Sequence, residues 1–235
     1  MTFVAGFKCS DGVVLCADRL ESDGVTKRYR YKLEGIDQNG EWGVSWGCAG
    51  DGHVIDKFTE KFKASLMALR DFNLSDIQLS AEAVLVLVNT DYPGHTIQIA
   101  VGVWNRGVLT KSSIRVAKAL LYRGNSQQAC LAPEPEYTLC GMDVTLAECI
   151  LRNTFKSGRT SVDEAIRLGI TVTALMKNYA EGVGGPTDVI YHKRGTKYWE
   201  ELSQEQITAI EASTNPDDLE RAIGEWWKAK REPSK

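Results

Sequence analysis

The chain opens straight into a β-hairpin. Thr2 to Cys9 is a short apolar run rich in strand formers, Ser10-Asp11-Gly12 is a turn, and Val13 to Ala17 is a second β run. Tyr29 to Ile36 alternates as a third strand, Asp37 to Gly40 turns, and Trp42 to Cys48 makes a fourth. Ala49-Gly50-Asp51-Gly52 then leads into a helix, because Ile55, Phe58, Phe62, Leu66 and Leu69 recur at helical spacing. Residues 74–89 read as a second helix, although Ala83 to Val88 alone also fits a strand. Thr96 to Trp104 and Gly107 to Ile114 are expected to face each other as strands across Asn105-Arg106-Gly107. A strand around Ala119 to Tyr122 and a proline-bearing loop, Ala132 to Pro135, follow. Two more helices come next, Val144 to Phe155 and one opening at Ser161, whose Glu164 completes a capping box. Gly184-Gly185-Pro186 breaks the chain before a last strand, Thr187 to His192. The tail carries two short helices, one from Ser203 with Gln206 as box partner and one from Asn215 with Pro216 at its first position.

Blocks of strands alternating with pairs of helices predict an α+β fold: two antiparallel sheets face to face with helix pairs outside. No linker or repeat divides the chain. Residues 1–200 form one domain, and residues 201–235 are a helical C-terminal extension of it.

Charge and apolar content exclude several classes. Twenty-eight Lys and Arg against 31 Asp and Glu leave a net charge of −3, which suits neither a basic nucleic-acid binder nor an acidic tail. The longest clean apolar run, Ala83 to Val88, is too short to span a membrane. The first residues lack the charged and long apolar regions of a signal peptide, so the expectation is a cytoplasmic chain. The cysteines, Cys9, Cys16, Cys48, Cys130, Cys140 and Cys149, form no Cys-x-x-Cys. Five of the six have core-like neighbours, and free thiols are expected. His53, His95 and His192 lie far apart without metal-ligand spacing, and the phosphate-loop and dinucleotide glycine patterns are absent. No cofactor is expected.

Thr2 follows the initiator Met, which aminopeptidases generally remove before so small a residue. The new α-amino group, with a pKa of about 7.7–8.0, accepts a proton near neutrality, so an N-terminal Thr holds a nucleophile and its base on one residue. By itself a Met-Thr start is an ordinary beginning to a strand. Its surroundings add to it. Thr2-Phe3-Val4-Ala5-Gly6, Asp11-Gly12-Val13-Val14-Leu15-Cys16-Ala17-Asp18, Lys32-Leu33 and Gly47-Cys48-Ala49-Gly50-Asp51 together resemble the opening of proteasome-type subunits, including the bacterial proteasome-like peptidases. The likeness is dense over residues 2–60 and persists as element order to about residue 193.

The resemblance implies the four-layer αββα sandwich of N-terminal-nucleophile hydrolases. Thr2 is then the nucleophile and, through its amine, the base; Lys32 lowers the proton affinity of that centre, and Asp18 holds Lys32. A backbone N–H at Gly50, or else at Gly47, stabilises the oxyanion. Ser22, Cys48 and Ala49 fall in the substrate-binding region, with Cys48 read equally as a pocket floor or a buried core thiol. The implied substrate is a peptide or protein, and the implied assembly a homo-oligomeric ring or related multimer. The class admits an ATP-dependent unfoldase partner, and no residue of this sequence indicates one.

The sequence also departs from the family pattern. The interval from Asp18 to Lys32 is two residues shorter than usual. Gly141-Met142-Asp143 stands where many active members carry Gly-Ser-Gly, and Ala180-Glu181-Gly182-Val183-Gly184-Gly185 where many carry Asp-x-x-Ser-Gly-Gly. Asp143, Asn178, Glu181 or a water are candidate substitutes. A non-catalytic scaffold and an amidase for small amides are therefore the rival functions. Two further features have plain readings: Cys9 and Cys16 as buried strand thiols rather than a redox pair, and the basic run Lys27 to Lys32 as a pocket wall as readily as a nucleic-acid patch. Trp226-Trp227, two indoles about 100° apart on a helix, suggest contact with a neighbouring subunit.

Overall fold

A computed structural model of the chain describes residues 2–22, 26–38, 40–69, 73–105, 109–110, 113–114, 118–141 and 144–213. The N-terminal hairpin is β1 (Phe3–Lys8) and β2 (Gly12–Asp18), followed by β3 (Leu20–Ser22), β4 (Lys27–Tyr29), β5 (Leu33–Gln38) and β6 (Trp42–Gly50). Helices α1 (Gly52–Met67) and α2 (Leu74–Asp91) precede β7 (Ile97–Asn105), β8 (Leu109–Thr110), β9 (Ser113–Ile114), β10 (Lys118–Asn125), β11 (Cys130–Glu134) and β12 (Tyr137–Gly141). Then come α3 (Thr145–Thr154), α4 (Val162–Tyr179), β13 (Thr187–Lys193), β14 (Glu200–Glu201) and α5 (Gln204–Ser213).

Two five-stranded sheets form the centre, one ordered β12-β1-β2-β13-β14 and the other β11-β10-β7-β6-β5. Every pairing in them is antiparallel. Alternation along the strands builds the layers. Val4, Val13, Leu15 and Ala17 of the first sheet meet Ala49, Ala100 and Leu121 of the second in the core between sheets. The intervening Phe3, Ala5, Phe7, Val14 and Cys16 face α3 and α4, where Phe155, Ile166 and Ile170 cover them. On the other outer face Trp42, Val44, Trp46 and Cys48 pack against Phe58 and Phe62 of α1 and Ala81 and Leu85 of α2. The result is the expected αββα sandwich.

Local signals place the helix starts. Asp51 caps α1 by accepting from the His53 and Val54 N–H groups, and Ser161 and Glu164 form the full capping box of α4. Ser203 and Gln206 exchange the same pair of bonds at α5, whose Ile207 seals onto the α4 side of the core.

Several expectations are corrected. The third strand divides into β4 and β5, which lie in different sheets, because Lys32 between them turns into the interior. β7 is paired by β10, and of residues 107–114 the described parts, β8 and β9, pair with each other. The Pro-bearing loop is strand β11; Pro133 is tolerated because β11 is an edge strand and needs no outward N–H. Four cysteines rather than five are buried, since Cys130 is exposed and Cys149 half-buried. Cys9 and Cys16 are free buried thiols, both pushed up in pKa by burial. Trp226-Trp227 and the helix from Asn215 lie outside the described residues.

At the far end of the sandwich from Thr2, His192 of β13 stacks on Trp104 of β7 at 3.8 Å and joins the two sheets. Burial pushes its pKa down to about 4. The unfolded chain binds a proton at His192 near pH 6.5 and the native state does not, so the contribution of this residue to stability is lost as pH falls from about 6.5 towards 4. The drop in urea midpoint between pH 7 and pH 4.5 is therefore expected to be smaller in His192→Phe than in the parent protein. An equal drop in both would contradict this assignment.

Candidate active site

Asp18 ends β2 and is fully buried. Four donors surround it. Its Oδ1 accepts from the Phe3 N–H (2.8 Å) and from Lys32 Nζ (2.8 Å), and its Oδ2 from the N–H groups of Leu20 (3.1 Å) and Gly184 (3.0 Å). Lys32 Nζ also donates to the Leu20 carbonyl at 2.6 Å. The lysine side chain is only 5% exposed, so burial lowers its pKa from the usual lysine value, opposed chiefly by the charge of Asp18. Asp18 is thereby tied to the residue after Thr2, to Lys32 and to the Gly184-Gly185 segment at once.

Thr2 is itself buried, and its carbonyl oxygen lies where a Cβ on residue 141 would come within 1.9 Å of it. Gly141 also has φ +123°, so both space and backbone require glycine there. Its N–H donates to Gln98 Oε1 at 3.1 Å, which fixes the end of β12 against β7. Across the site β6 ends at Gly50, another positive-φ glycine (+137°), where the chain turns into the α1 cap.

Thr2, Lys32 and Gly50 share a cavity of about 310 Å³ with Ser22, Arg30 and Asp56. Its walls are charged and paired. Glu21 accepts from Arg28 Nε at 2.7 Å and lies 3.7 Å from Arg30 Nη1, while Arg30 forms a short ion pair with Asp56. Tyr29 and Tyr31 of the same run are largely exposed, and Tyr31 also lines the cavity. The basic run is thus a pocket wall, as its alternation suggested.

The sequence-predicted residues divide cleanly. Thr2, Asp18, Lys32, Gly50 and Ser22 converge on one place. Gly47 does not line the cavity: it sits inside the sheet, opposite Leu33 and Ala100 and pressed by Val4. Ala49 belongs to the core between sheets, and Cys48 faces the helices of the second sheet, where burial pushes its thiol pKa up. Neither lines the cavity. Where the family pattern carries Asp and Ser, Ala180 and Val183 are buried apolar residues of the α4-side core. Asn178 and Glu181 are exposed and line no part of the cavity, and Asp143 lies outside the described residues. Sequence reasoning missed Glu21, Asp56 and Gln98. They are far apart in the chain and carry no local signal, whereas Gly141 was visible as the glycine kept from a three-residue family motif.

Removing one partner of a buried ion pair commonly costs about 3–5 kcal/mol. Asp18→Asn is expected to fall in that range, because an amide NH₂ would face donors where Asp18 accepts. Lys32→Met is expected to cost about 1–3 kcal/mol, since Asp18 keeps its three backbone N–H donors. Urea unfolding of the two variants tests this asymmetry, and equal losses would refute it.

No protein-family model and no curated protein matches the sequence. Solved structures do match. The chain superposes on an Anbu Gly-1 mutant from Hyphomicrobium sp. strain MC1 with a TM-score of 0.76 at 15% identity, covering 100% of both chains. Anbu, described as an ancestral beta-subunit, from Yersinia bercovieri gives 0.71 at 15% identity, with 99% of each chain covered. A helical assembly of the Anbu complex from Pseudomonas aeruginosa gives 0.71 at 14% identity, covering 99% of this chain and 98% of that one. At this identity the likeness is one of architecture: the described residues share the αββα fold of the Anbu structures.

Proposed function

We propose that the protein is a threonine-type amidohydrolase of the proteasome-like class, acting on peptide or protein amide bonds. The observation that carries this reading is the buried Asp18–Lys32 pair, in which Asp18 accepts from the backbone directly after Thr2 and Lys32 lines the same cavity as Thr2 and Gly50. With Met1 removed, Thr2 Oγ1 attacks the amide carbon and its proton passes to the α-amine. Lys32 holds positive charge beside that amine and keeps it neutral near physiological pH. The Gly50 N–H takes the oxyanion, a contribution of about 2.7–4 kcal/mol for a well-placed donor. Collapse breaks the C–N bond, the leaving amine takes the proton from the α-ammonium, and an ester to Thr2 remains. Water, deprotonated by the same amine, attacks the ester and releases the acid and free Thr2.

Assembly into a ring-like or related homo-oligomer belongs to this proposal and is supported by the helical assembly of the similar Pseudomonas aeruginosa protein. Arg28 and Arg30, engaged by Glu21 and Asp56, make a poor phosphate-binding patch. Ala180 and Val183 favour a second reading, a scaffold that has kept the fold, because apolar side chains fill the places of two family catalytic groups.

The deciding experiment is intact mass before and after incubation with an epoxyketone, which needs both the hydroxyl and the free amine of an N-terminal Thr. The expected result is loss of the Met1 mass and a single adduct on Thr2, abolished in Thr2→Ala and slowed at least about 100-fold in Lys32→Met. A processed, folded protein that forms no adduct and hydrolyses neither casein nor small acyl amides would overturn the proposal in favour of the scaffold. Turnover of small amides without casein would narrow the substrate class.

A further inference from the structure

Two apolar features of the sequence have no place in the candidate active site. The first is Ala83 to Val88, the longest apolar run of the chain, which lies in α2. Such a run turns through every face of a helix. Val84, Leu85 and Val88 go into the core against the second sheet, together with Ile77 and Ala81. Leu79, Val86 and Leu87 go the other way and are 60%, 50% and 47% exposed, with Ala83 exposed among them. These four lie on adjoining turns, so the outward face of α2 is an apolar stripe where a surface helix ordinarily carries charge. The charged residues that α2 does carry, Asp76, Glu82 and Asp91, are all acids.

The second feature is Trp226-Trp227, within residues 214–235, which lie outside the described residues. Lys228, Lys230, Arg231 and Lys235 follow the two indoles, against the single acid Glu232. Aromatic anchors trailed by positive charge complement an apolar stripe on an acidic helix. The chain's own α2 is badly placed to receive them. Ser213 ends α5, whose Ile207 seals onto the α4 side of the core, whereas the α2 stripe faces away from the opposite side of the sandwich. Two sheets about 10 Å apart, with a helix layer outside each, separate those faces by roughly 30 Å. The stretch from Ser213 to Trp226 spans about 20 Å as the helix that Asn215 and Pro216 predict, and would have to round the whole sandwich.

We infer that the outward face of α2 is a docking surface for residues 214–235 of a second copy of this chain. Trp226 and Trp227 seat on Leu79, Val86 and Leu87, and the basic residues lie beside Asp76 and Asp91. This rests on the homo-oligomer part of the function proposed above and is independent of Thr2. A tail on one copy and its acceptor on another make a heterologous contact, which repeats from copy to copy and either closes into a ring or continues as a helix.

Sedimentation velocity of the full-length chain tests this, with two variants made in that chain. Trp226→Ala/Trp227→Ala removes the anchors of the tail, and Leu79→Glu/Leu87→Glu removes the acceptor. Each alone is expected to weaken self-association at least about 100-fold. The acceptor positions face outward, so the urea midpoint is expected to stay at the parent value. Leu79→Gln/Leu87→Gln, without added charge, takes the place of the acceptor variant if that one folds poorly. Mixed together, the tail variant and the acceptor variant are expected to form a one-to-one pair that extends no further, since each keeps the half that the other lacks. A tail variant that assembles like the parent would overturn the inference, and an acceptor variant that falls apart beside it would mean that α2 pairs with itself. Two dissociated variants that form no mixed pair would overturn the second copy as the occupant. A parent that is monomeric throughout would overturn the homo-oligomer reading and this inference together, whereas an oligomeric parent indifferent to loss of the tail would overturn this inference alone.

Discussion

A carboxylate with no contact to solvent is tolerated only when its oxygens are saturated, and Asp18 meets that requirement with donors from four separate parts of the chain. Phe3 comes from the first strand, Leu20 from the start of β3, Lys32 from the crossing between β4 and β5, and Gly184 from the break before β13. None of these is a neighbour of another in sequence. The Leu20 bond is local, but those of Phe3 and Gly184 need β1, β2 and β13 side by side, so the full donor set forms only as the first sheet assembles. A pair of this kind contributes little net stability and much discrimination, because a misregistered sheet leaves a bare buried charge.

The placement of the hairpin at the very start of the chain has a matching consequence. β1 lies between β2 and β12 and not at an edge, so Thr2 projects from the end of an interior strand whose position is fixed on both sides. Gly141 closes from one side without a Cβ, and the turn at Gly50 closes from the other before Asp51 caps α1. A residue on a frayed terminus could not be held in this way. The side chains that line the cavity come mostly from β3, the β4–β5 crossing and the first turns of α1. The first sheet therefore fixes Thr2, and the elements around the second shape what approaches it.

Much of this was legible in the sequence. Period-two runs and cap signals placed the hairpin, the four main helices and the layer order, since those depend on contacts within a few residues. The errors lie where distant contacts override local preference. Tyr29 to Ile36 alternates as one strand, yet Lys32 is drawn into the interior by Asp18 and the run breaks there. Pro133 argues for a loop, but an edge position removes its penalty. Residues 107–114 are adjacent to β7 in sequence, while the longer partner β10 matches it over eight register positions. In the site, motif spacing named Thr2, Lys32 and Gly50, which line one cavity, and Asp18, which bonds Lys32. The neighbours of Gly50 do not line it, because one strand carries successive residues into different environments: the cavity at Gly50, the helix-side core at Cys48, which matches the core-thiol reading, and the core between sheets at Ala49.

The segment before β13 serves both the core and the buried carboxylate. Ala180 and Val183 turn into the α4-side core, yet the backbone of the same segment still delivers the Gly184 N–H to Asp18, and the Leu20 N–H returns to the Gly184 carbonyl at 2.9 Å. Side chains there supply packing, and the main chain supports the buried carboxylate. The chemistry proposed for Thr2 is therefore tied to the register of β2 and β13, because a slip of one residue would carry Asp18 away from the Gly184 N–H and from Lys32 and leave a buried charge without its donors.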